Sequence, residues 1–440
     1  MITAEQVTSS VNRICKYSRP YQDLMLRREQ SGHLQVMLLG LSSDLERKSV
    51  EPIAVRYDIP RRALQGFVGI SEWDHLPLRD LELREVDKEI GSAEGHLILD
   101  GSGVPKKGAA TVGVKRQYCG RLGKIDNCVI GVHSVYVGTD EQAVLVDSDL
   151  YLPQDWLADS GNRARTHVPL DVIYRTQPEI ALAQVRRLDK KLRFKWVHGD
   201  DEFGRYQELR DEVRALDHCY VFDVPCNTNV TIRLSQSATL SPATSVEQLA
   251  DALPPIKWKL LTARYGEKGP IRLQAWSTMV RTPRPDGVPC LERMLVVQNV
   301  DGTERRYFLC HAPPNIQLKD LVRIALIRHR IEEVFEEAKG EVGMDHFEVR
   351  SWHGWHHHMT LTQISHWFFV REQRILGKAN NPGITVSMIR TMVGKLLAPT
   401  PTPQILADLV NYMMNRNEES RQAAYAAKGL TAPPRRWEQP

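Results

Sequence analysis

The sequence predicts a mixed α/β protein, and three observations predict it. Residues 91–226 follow the order β-β-β-α-β-α-β; acids close two of those strands, at Asp100 and Asp200; and a β-rich stretch then interrupts the block before a long helical segment resumes. That element order is the one of a ribonuclease H-like domain, here preceded by a helical N-terminal region and followed by a helical C-terminal one. The boundaries fall at 1–90 for the N-terminal helices, 91–226 for the first part of the core, 227–315 for the β-rich insertion, 316–397 for the second part of the core, and 398–440 for a last helix and tail.

At 440 residues the chain is too long for one ordinary domain, and with 42% hydrophobic and 25% charged residues it buries a substantial core. Seven cysteines, scattered from Cys15 to Cys310 without a close CxxC pair, argue against a disulfide framework and a zinc ribbon and suit a reducing compartment. The opening MITAEQVTSSVNR lacks the apolar core of a signal peptide, and no apolar run reaches the roughly 18–20 residues of a membrane span, so the expectation is a cytoplasmic protein with no membrane partner.

The first ninety residues alternate helical periodicity with short breaks, punctuated by Pro60 and Pro77. Short helices in a basic setting suit a helix-turn-helix DNA-binding unit, and equally a cap that packs on the next domain. From His96 the texture changes. HLILD is an apolar run ending in an acid and followed by the loop GSGVPKKG; Asn127–Gly138 and Ala143–Pro153 are β-branched runs bounded by turn residues. PEIALAQVRRLDKKL is an amphipathic helix with Pro178 at its favoured first position. FKWVHGDD is a strand ending in acids, DEFGRYQELRDEVRALD a helix, and CYVFDVP another strand. The insertion shows strand-like pieces between Pro- and Gly-rich turns, and a long helical segment begins near Leu318.

The net charge of +4 is modest, but its distribution is uneven. No acid lies between Gly101 and Ile125, where Lys106, Lys107, Lys115, Arg116, Arg121 and Lys124 fall; Arg186, Arg187, Lys190, Lys191, Arg193 and Lys195 form a second cluster. Such clusters suit a polyanion held along one surface, or simply a solvated face.

Three carboxylates stand out. Taken alone, Asp100 before Gly-Ser-Gly is a turn former and Asp200 a helix cap. On an idealised helix, Ile324, Ile327, Ile331, Val334, Phe335 and Ala338 make one apolar stripe. Arg328, Glu332 and Lys339 line its edge within about 40° of arc. The bland alternative, an Arg328–Glu332 pair one turn apart, contributes only tenths of a kcal/mol. Two acids on strands and one on a later helix are what a two-metal phosphoryl-transfer site requires, because hard oxygen ligands suit Mg²⁺ and two ions about 4 Å apart activate the attacking oxygen and stabilise the leaving one.

These strings resemble the DDE transposases of bacterial insertion sequences, in the superfamily with a β insertion before the catalytic Glu and, within it, the insertion-sequence-seven-hundred-one branch. The resemblance rests on LILDGSGVPKKG with GVKRQYCGRLGKIDNCVIGVH, on WVHGDDEFG, and on RHRIEEVFEEAKGEVGMDHFEVRSWHGWHHHMTL, and runs to about residue 375. It implies that Asp100, Asp200 and Glu332 are the catalytic, metal-binding carboxylates, holding two Mg²⁺ with Mn²⁺ as a substitute. Asp200 takes precedence over Asp201 because the pattern of an acid, two variable residues, an aromatic and Gly matches Asp200, Phe203 and Gly204. The related Tyr, Arg, Glu, Lys signature matches Arg328, Glu332 and Lys339, while its Tyr position is Ala325. Arg328 and Lys339 would then bind phosphates of the transposon end, with Lys106, Lys107, Lys115 and Arg116 as further DNA contacts. The resemblance also implies double-stranded DNA partners, namely terminal inverted repeats and target DNA, and a homodimer in the synaptic complex. Relatives with a β insertion often cut through a hairpinned end and hold an unstacked base on an aromatic; Trp276 and Trp258 are the candidates, set against an ordinary core role.

Other chemistries fit less well. His353, His356, His357, His358 and His366 crowd one segment, but the neighbouring Trp352, Trp355, Trp367, Phe368 and Phe369 suggest a packed helix rather than zinc. Cys119 and Cys128 lack a His at a recognisable spacing, and Ser102 in GSGVP is no nucleophile elbow.

Overall fold

The computed structural model describes residues 4–233, 240–266, 269–284, 287–378 and 384–398, with short pieces between 419 and 427. The helix and tail expected over 398–440 therefore lie almost wholly outside the described residues.

Six helices lead: α1 (Ala4–Tyr17), α2 (Arg19–Gln22), α3 (Arg28–Leu41), α4 (Val50–Arg56), α5 (Arg61–Gly69) and α6 (Leu76–Ile90). Along α3, Leu34, Met37, Leu38 and Leu41 recur every three or four residues, and each is buried. That stripe packs on the long helix α15 (Trp352–Lys378; its label follows the chain order completed below), and one continuous core joins Leu38 and Phe67 to Trp355 and Trp367.

The sheet begins with β1 (His96–Pro105), β2 (Lys115–Cys119), β3 (Lys124–Val137) and β4 (Ala143–Leu150). Helices α7 (Gln154–Ala158), α8 (Ser160–Thr166) and α9 (Gln177–Leu188) follow, then β5 (Trp196–Gly199), α10 (Asp201–Gly204), α11 (Gln207–Ala215) and β6 (Cys219–Asp223). The core order is β4-β3-β1-β5-β6, with β3 antiparallel to its neighbours and β1, β5 and β6 parallel, which is the ribonuclease H-like arrangement. Thr176 caps α9 reciprocally with Glu179, fixing its start one residue before Pro178.

Three local expectations change. GSGVP is strand rather than loop: β1 runs on to Pro105, held by β3 in a ladder from Gly101↔Val132 to Pro105↔Cys128. Its glycines serve close approach, since a Cβ at Gly101 would sit 2.6 Å from Gln177 Oε1 and one at Gly103 3.1 Å from Cys119 Sγ. The strand β2, unmarked in the sequence, folds back on β3. The single helix expected over DEFGRYQELRDEVRALD is two, α10 and α11.

The insertion contributes a two-stranded ribbon, β7 (Asn229–Val230) with β8 (Thr244–Ser245), the helix α12 (Val246–Asp251), and β9 (Lys259–Gly266), β10 (Gly269–Thr282), β11 (Cys290–Asn299) and β12 (Arg305–His311). Strand β12 pairs antiparallel with β6, so the insertion extends the core sheet as β6-β12-β11-β10-β9 and covers what would be an open edge. One face of this extension packs Leu295 and Phe308 on Leu321 of α13 (Leu318–Leu326); the other gathers Val224, Met294, Val296 and Leu309.

After α13 comes a tight 3-10 turn, Ile327–His329, then α14 (Arg330–Val342), α15 and α16 (Val386–Leu397). Ile331, Val334, Phe335 and Ala338 are buried as their spacing requires. The turn breaks the single helix assumed from periodicity, so Arg328 precedes the helix that carries Glu332 and Lys339. Gly343, at φ +69°, terminates α14 in the left-handed conformation. Among the described residues no helix is long and apolar enough to cross a membrane.

Candidate active site

Three parallel strands carry an acid at the same level, within β1 and at the ends of β5 and β6. Leu99 of β1 is paired with Gly199 of β5, and Gly199 with Phe222 of β6. The next residue on each is Asp100, Asp200 and Asp223. With neighbouring strands about 4.8 Å apart, this row sets three carboxylates side by side. Asp223 was not among the sequence candidates, yet LILD, VHGD and YVFD carry the same signal: an apolar strand ending in Asp.

The local chain explains the placement. Asp100 Oδ1 accepts the Gly101 N–H at 2.7 Å. Asp200 also caps α10, its Oδ1 accepting from the Glu202 N–H at 3.0 Å. Phe203 is buried, and a Cβ on Gly204 would lie 1.8 Å from the Asp223 carbonyl oxygen, so the aromatic–Gly pair lets α10 turn tightly against β6.

Burial, and then the charge of Asp200, push the Asp100 carboxyl up to about 7; Arg328 and the Gly101 N–H pull the other way. Burial likewise raises Asp200 and Asp223. The counter-charge is Arg328, largely buried between the acids. Its Nη1 stands 3.9 Å from Asp100 Oδ2, its Nε 3.3 Å from Asp223 Oδ2, and its Nη2 donates to Glu332 Oε1 at 3.1 Å. Glu332 is half-exposed at the start of α14 and is also met by His329 Nδ1 at 3.0 Å. Lys339 stands 5.1 Å over the Phe335 ring; burial lowers its pKa, while Asp345 raises it. A cleft of about 370 Å³ opens in front of the row, lined by Asp100, Gly101, Tyr118, Tyr151, Gln177 and Asp200. A larger cavity, about 860 Å³, lies at the opposite end of β1 and β5 beside His96 and Trp196 and contains none of these carboxylates.

The donor set suits a hard divalent cation: carboxylate oxygens, with two mutually repelling acids of which Asp100 is driven well above the usual range. Among the described residues, however, no three His, Cys, Asp or Glu side chains converge on one point as a ready ligand set, because Glu332 is turned to Arg328 and His329.

The basic residues divide. Lys107 and Arg116 are exposed, and half-exposed Lys115 pairs with Asp155. Lys106 is committed inward: its Nζ donates to the Phe347 carbonyl at 2.6 Å and lies 3.4 Å over that ring. In the second cluster, Arg186, Arg187, Lys191, Arg193 and Lys195 each pair with an acid, so this cluster ties the core to its own helices. Trp258 and Trp276 are half-buried against the cluster of Val224, Met294 and Val296, on the insertion and outside the cleft lining.

The rejected chemistries have physical reasons too. His356, His357 and His358 are buried and face backbone carbonyls of Trp352, Val68, Trp73 and Gly343, while His366 meets Glu337. Burial and then the neighbouring Cys119 push the Cys128 thiol up to about 12, which makes it a poor nucleophile. Ser102 is buried within β1.

Comparison with known proteins gives the family. The model of a family described as DDE superfamily endonuclease matches residues 20–283, more than half of the chain, a span that contains Asp100 and Asp200 and stops short of Glu332. A protein of Microchaete diplosiphon, "Probable transposase for insertion sequence element IS701", is 24% identical over 368 residues, covering 79% of this chain and 85% of its own. A piggyBac transposase, solved in a synaptic complex with hairpin DNA, aligns over 92% of this chain and 82% of its own at 10% identity with a TM-score of 0.42, an overlap too loose to carry an argument. Matched by that family model over more than half of its length, the chain belongs to the DDE superfamily endonuclease family.

Proposed function

We propose that this protein is a cut-and-paste DNA transposase that binds the terminal inverted repeats of its insertion sequence, cleaves the DNA strands at each end and joins them to target DNA. The observation that carries this reading is the carboxylate row, Asp100 and Asp200, faced by Arg328 and Glu332. The similarity to a named insertion-sequence transposase over 79% of the chain supports it independently.

In this reading Asp100, Asp200 and Glu332 together hold two Mg²⁺, or Mn²⁺ in their place. Bound there, the ions supply charge neutralisation at the scissile phosphate and activation of the attacking oxygen. The chain's own residues do the rest. Asp100 and Asp200 fix the level at which the phosphate sits. Glu332 reaches them by releasing Arg328 and His329, and Arg328, freed of Glu332, offers its fork to a phosphate. Lys339 lies on the same helix, two turns further on. Water attacks the phosphodiester and breaks its P–O3′ bond, leaving a 3′-hydroxyl on the transposon end and a 5′-phosphate on the flank. That hydroxyl then attacks a target phosphodiester at the same carboxylates and displaces the target strand's 3′-oxygen, since both steps are in-line displacements at phosphorus. Synapsis of two ends implies a homodimer, and the exposed Lys107 and Arg116 serve as further phosphate contacts.

Labelled duplexes tiling the DNA on either side of the gene, incubated with Mg²⁺ or EDTA, test the proposal. Metal-dependent cuts at paired inverted repeats support it. Tight binding without any cut, with intact ends present, contradicts it and favours a DNA binder derived from a transposase; cutting governed by branched structure rather than end sequence favours another nuclease.

A further inference from the structure

We infer that Asp223 is a positioning residue of this site: it fixes Arg328 from behind and couples the β-rich insertion to the reaction centre. The inference rests on the reading of Asp100, Asp200 and Glu332 given above.

Three observations carry it. Asp223 occupies the third place in the row of carboxylates, one strand beyond Asp200. It is the one acid of that row that also pairs with β12, the strand by which the insertion joins the core: Arg306 Nη2 donates to its Oδ2. That same oxygen lies 3.3 Å from Arg328 Nε, while the other guanidinium edge is turned to Asp100 and Glu332. Asp223 Oδ1 and Arg328 Nε are both buried without a hydrogen-bond partner, so the two side chains face each other as an ion pair rather than through a hydrogen bond.

The arrangement has a mechanical consequence. Arg328 sits in a 3-10 turn, where the backbone alone aims a long side chain poorly. The Asp223 charge holds the Nε edge and leaves the two Nη groups turned to Asp100 and Glu332. Without that anchor the guanidinium is drawn fully onto Asp100 and Glu332, where it competes with the divalent ion for the same oxygens. Loss of Asp223 should therefore slow cleavage and raise the metal requirement, while DNA binding, spread over many phosphates, stays nearly intact. Arg306 lies one step further out, so its loss should act in the same direction and more weakly.

The test is single-turnover cleavage of an end-containing duplex by the full-length protein across a Mg²⁺ titration. Asp223→Asn, which keeps the shape and removes the charge, should lower the rate about 10–100-fold and shift the Mg²⁺ midpoint upward, with end affinity within about threefold of wild type. Asp223→Glu should restore part of the rate, and Arg306→Gln should show a smaller loss. Thermal melts of each variant identify a folding defect, and a rate loss that follows the melt and leaves the Mg²⁺ midpoint in place would overturn the inference. So would a wild-type rate in Asp223→Asn when Asp100→Asn is inactive; that outcome leaves the carboxylate reading standing. Full cleavage by both variants would overturn the two together.

Discussion

Arg328 donates from Nη2 to Glu332 Oε1 at 3.1 Å, bridging the 3-10 turn and the first turn of α14. The site is thus closed on itself by an internal ion pair, and the proposed reaction has that pair separate. The account expects Arg328→Lys to keep the charge but lose the fork that serves two partners at once, with cleavage falling about 10²-fold or more. Single-turnover rates measure this directly. A lysine variant with wild-type rates would remove Arg328 from the machinery.

Asp100 sets a pH dependence in metal-free protein. An unfolded aspartate titrates near 3.8, whereas the folded carboxyl is pushed up to about 7 by burial and then by Asp200. Below both values the group is protonated in either state and contributes nothing. Between them the folded state holds a proton that the unfolded state releases, so stability falls as pH rises and stays reduced above about 7. Asp100→Asn removes this cost, on the order of a few kcal/mol. Melts in EDTA should show the variant more stable than wild type at pH 8 and the two converging near pH 4. A variant less stable at pH 8 would contradict the electrostatic reading of the row.

Lys106 and Arg116 should separate in their effects. Lys106→Ala loses the contact to Phe347 and should cost about 1–2 kcal/mol of stability without changing the salt dependence of DNA binding. Arg116→Ala should leave the melt unchanged and lower the salt slope by about one unit, as loss of one phosphate contact does. Titrations at several salt concentrations distinguish them, and the reverse pattern would place DNA on the other side of the β2–β3 hairpin.

Trp276 should behave as a packing residue. Trp276→Ala should lower stability by about 2 kcal/mol, since it opens the cluster of Met294 and Val296. Corrected for folding, its loss of affinity for a DNA end should stay below the roughly 1–3 kcal/mol that a stacked base contributes. A larger loss on a hairpinned end alone would return Trp276 to the role of base holder.

Much of this was legible in the sequence because local and global signals agree. β-branched runs marked β3 and β4, Pro178 marked the start of α9, and the Ile331, Val334, Phe335 and Ala338 stripe marked the buried face of α14. What escaped depends on contacts between distant segments. GSGVP reads as a turn until β3 supplies its ladder, and β2 reads as a basic loop until it folds back on β3. Asp223 shares the apolar-strand-then-Asp signal, but its place beside Asp200 follows from sheet register rather than from spacing along the chain. The 3-10 turn at Ile327–His329 leaves the apolar stripe intact and so leaves no mark in the periodicity.

Glu332 lies outside the span matched by the family model and is paired with Arg328 rather than with the aspartates, so it is the member of the carboxylate set on which the account most depends. The most direct measurement is cleavage of labelled end-containing DNA by wild type and Glu332→Gln side by side, in Mg²⁺ and in EDTA. The account expects wild type to cut at the repeat ends only with metal, and Glu332→Gln to bind the same ends without cutting. Undiminished, metal-dependent cutting by Glu332→Gln would show that the third carboxylate has been placed on the wrong residue.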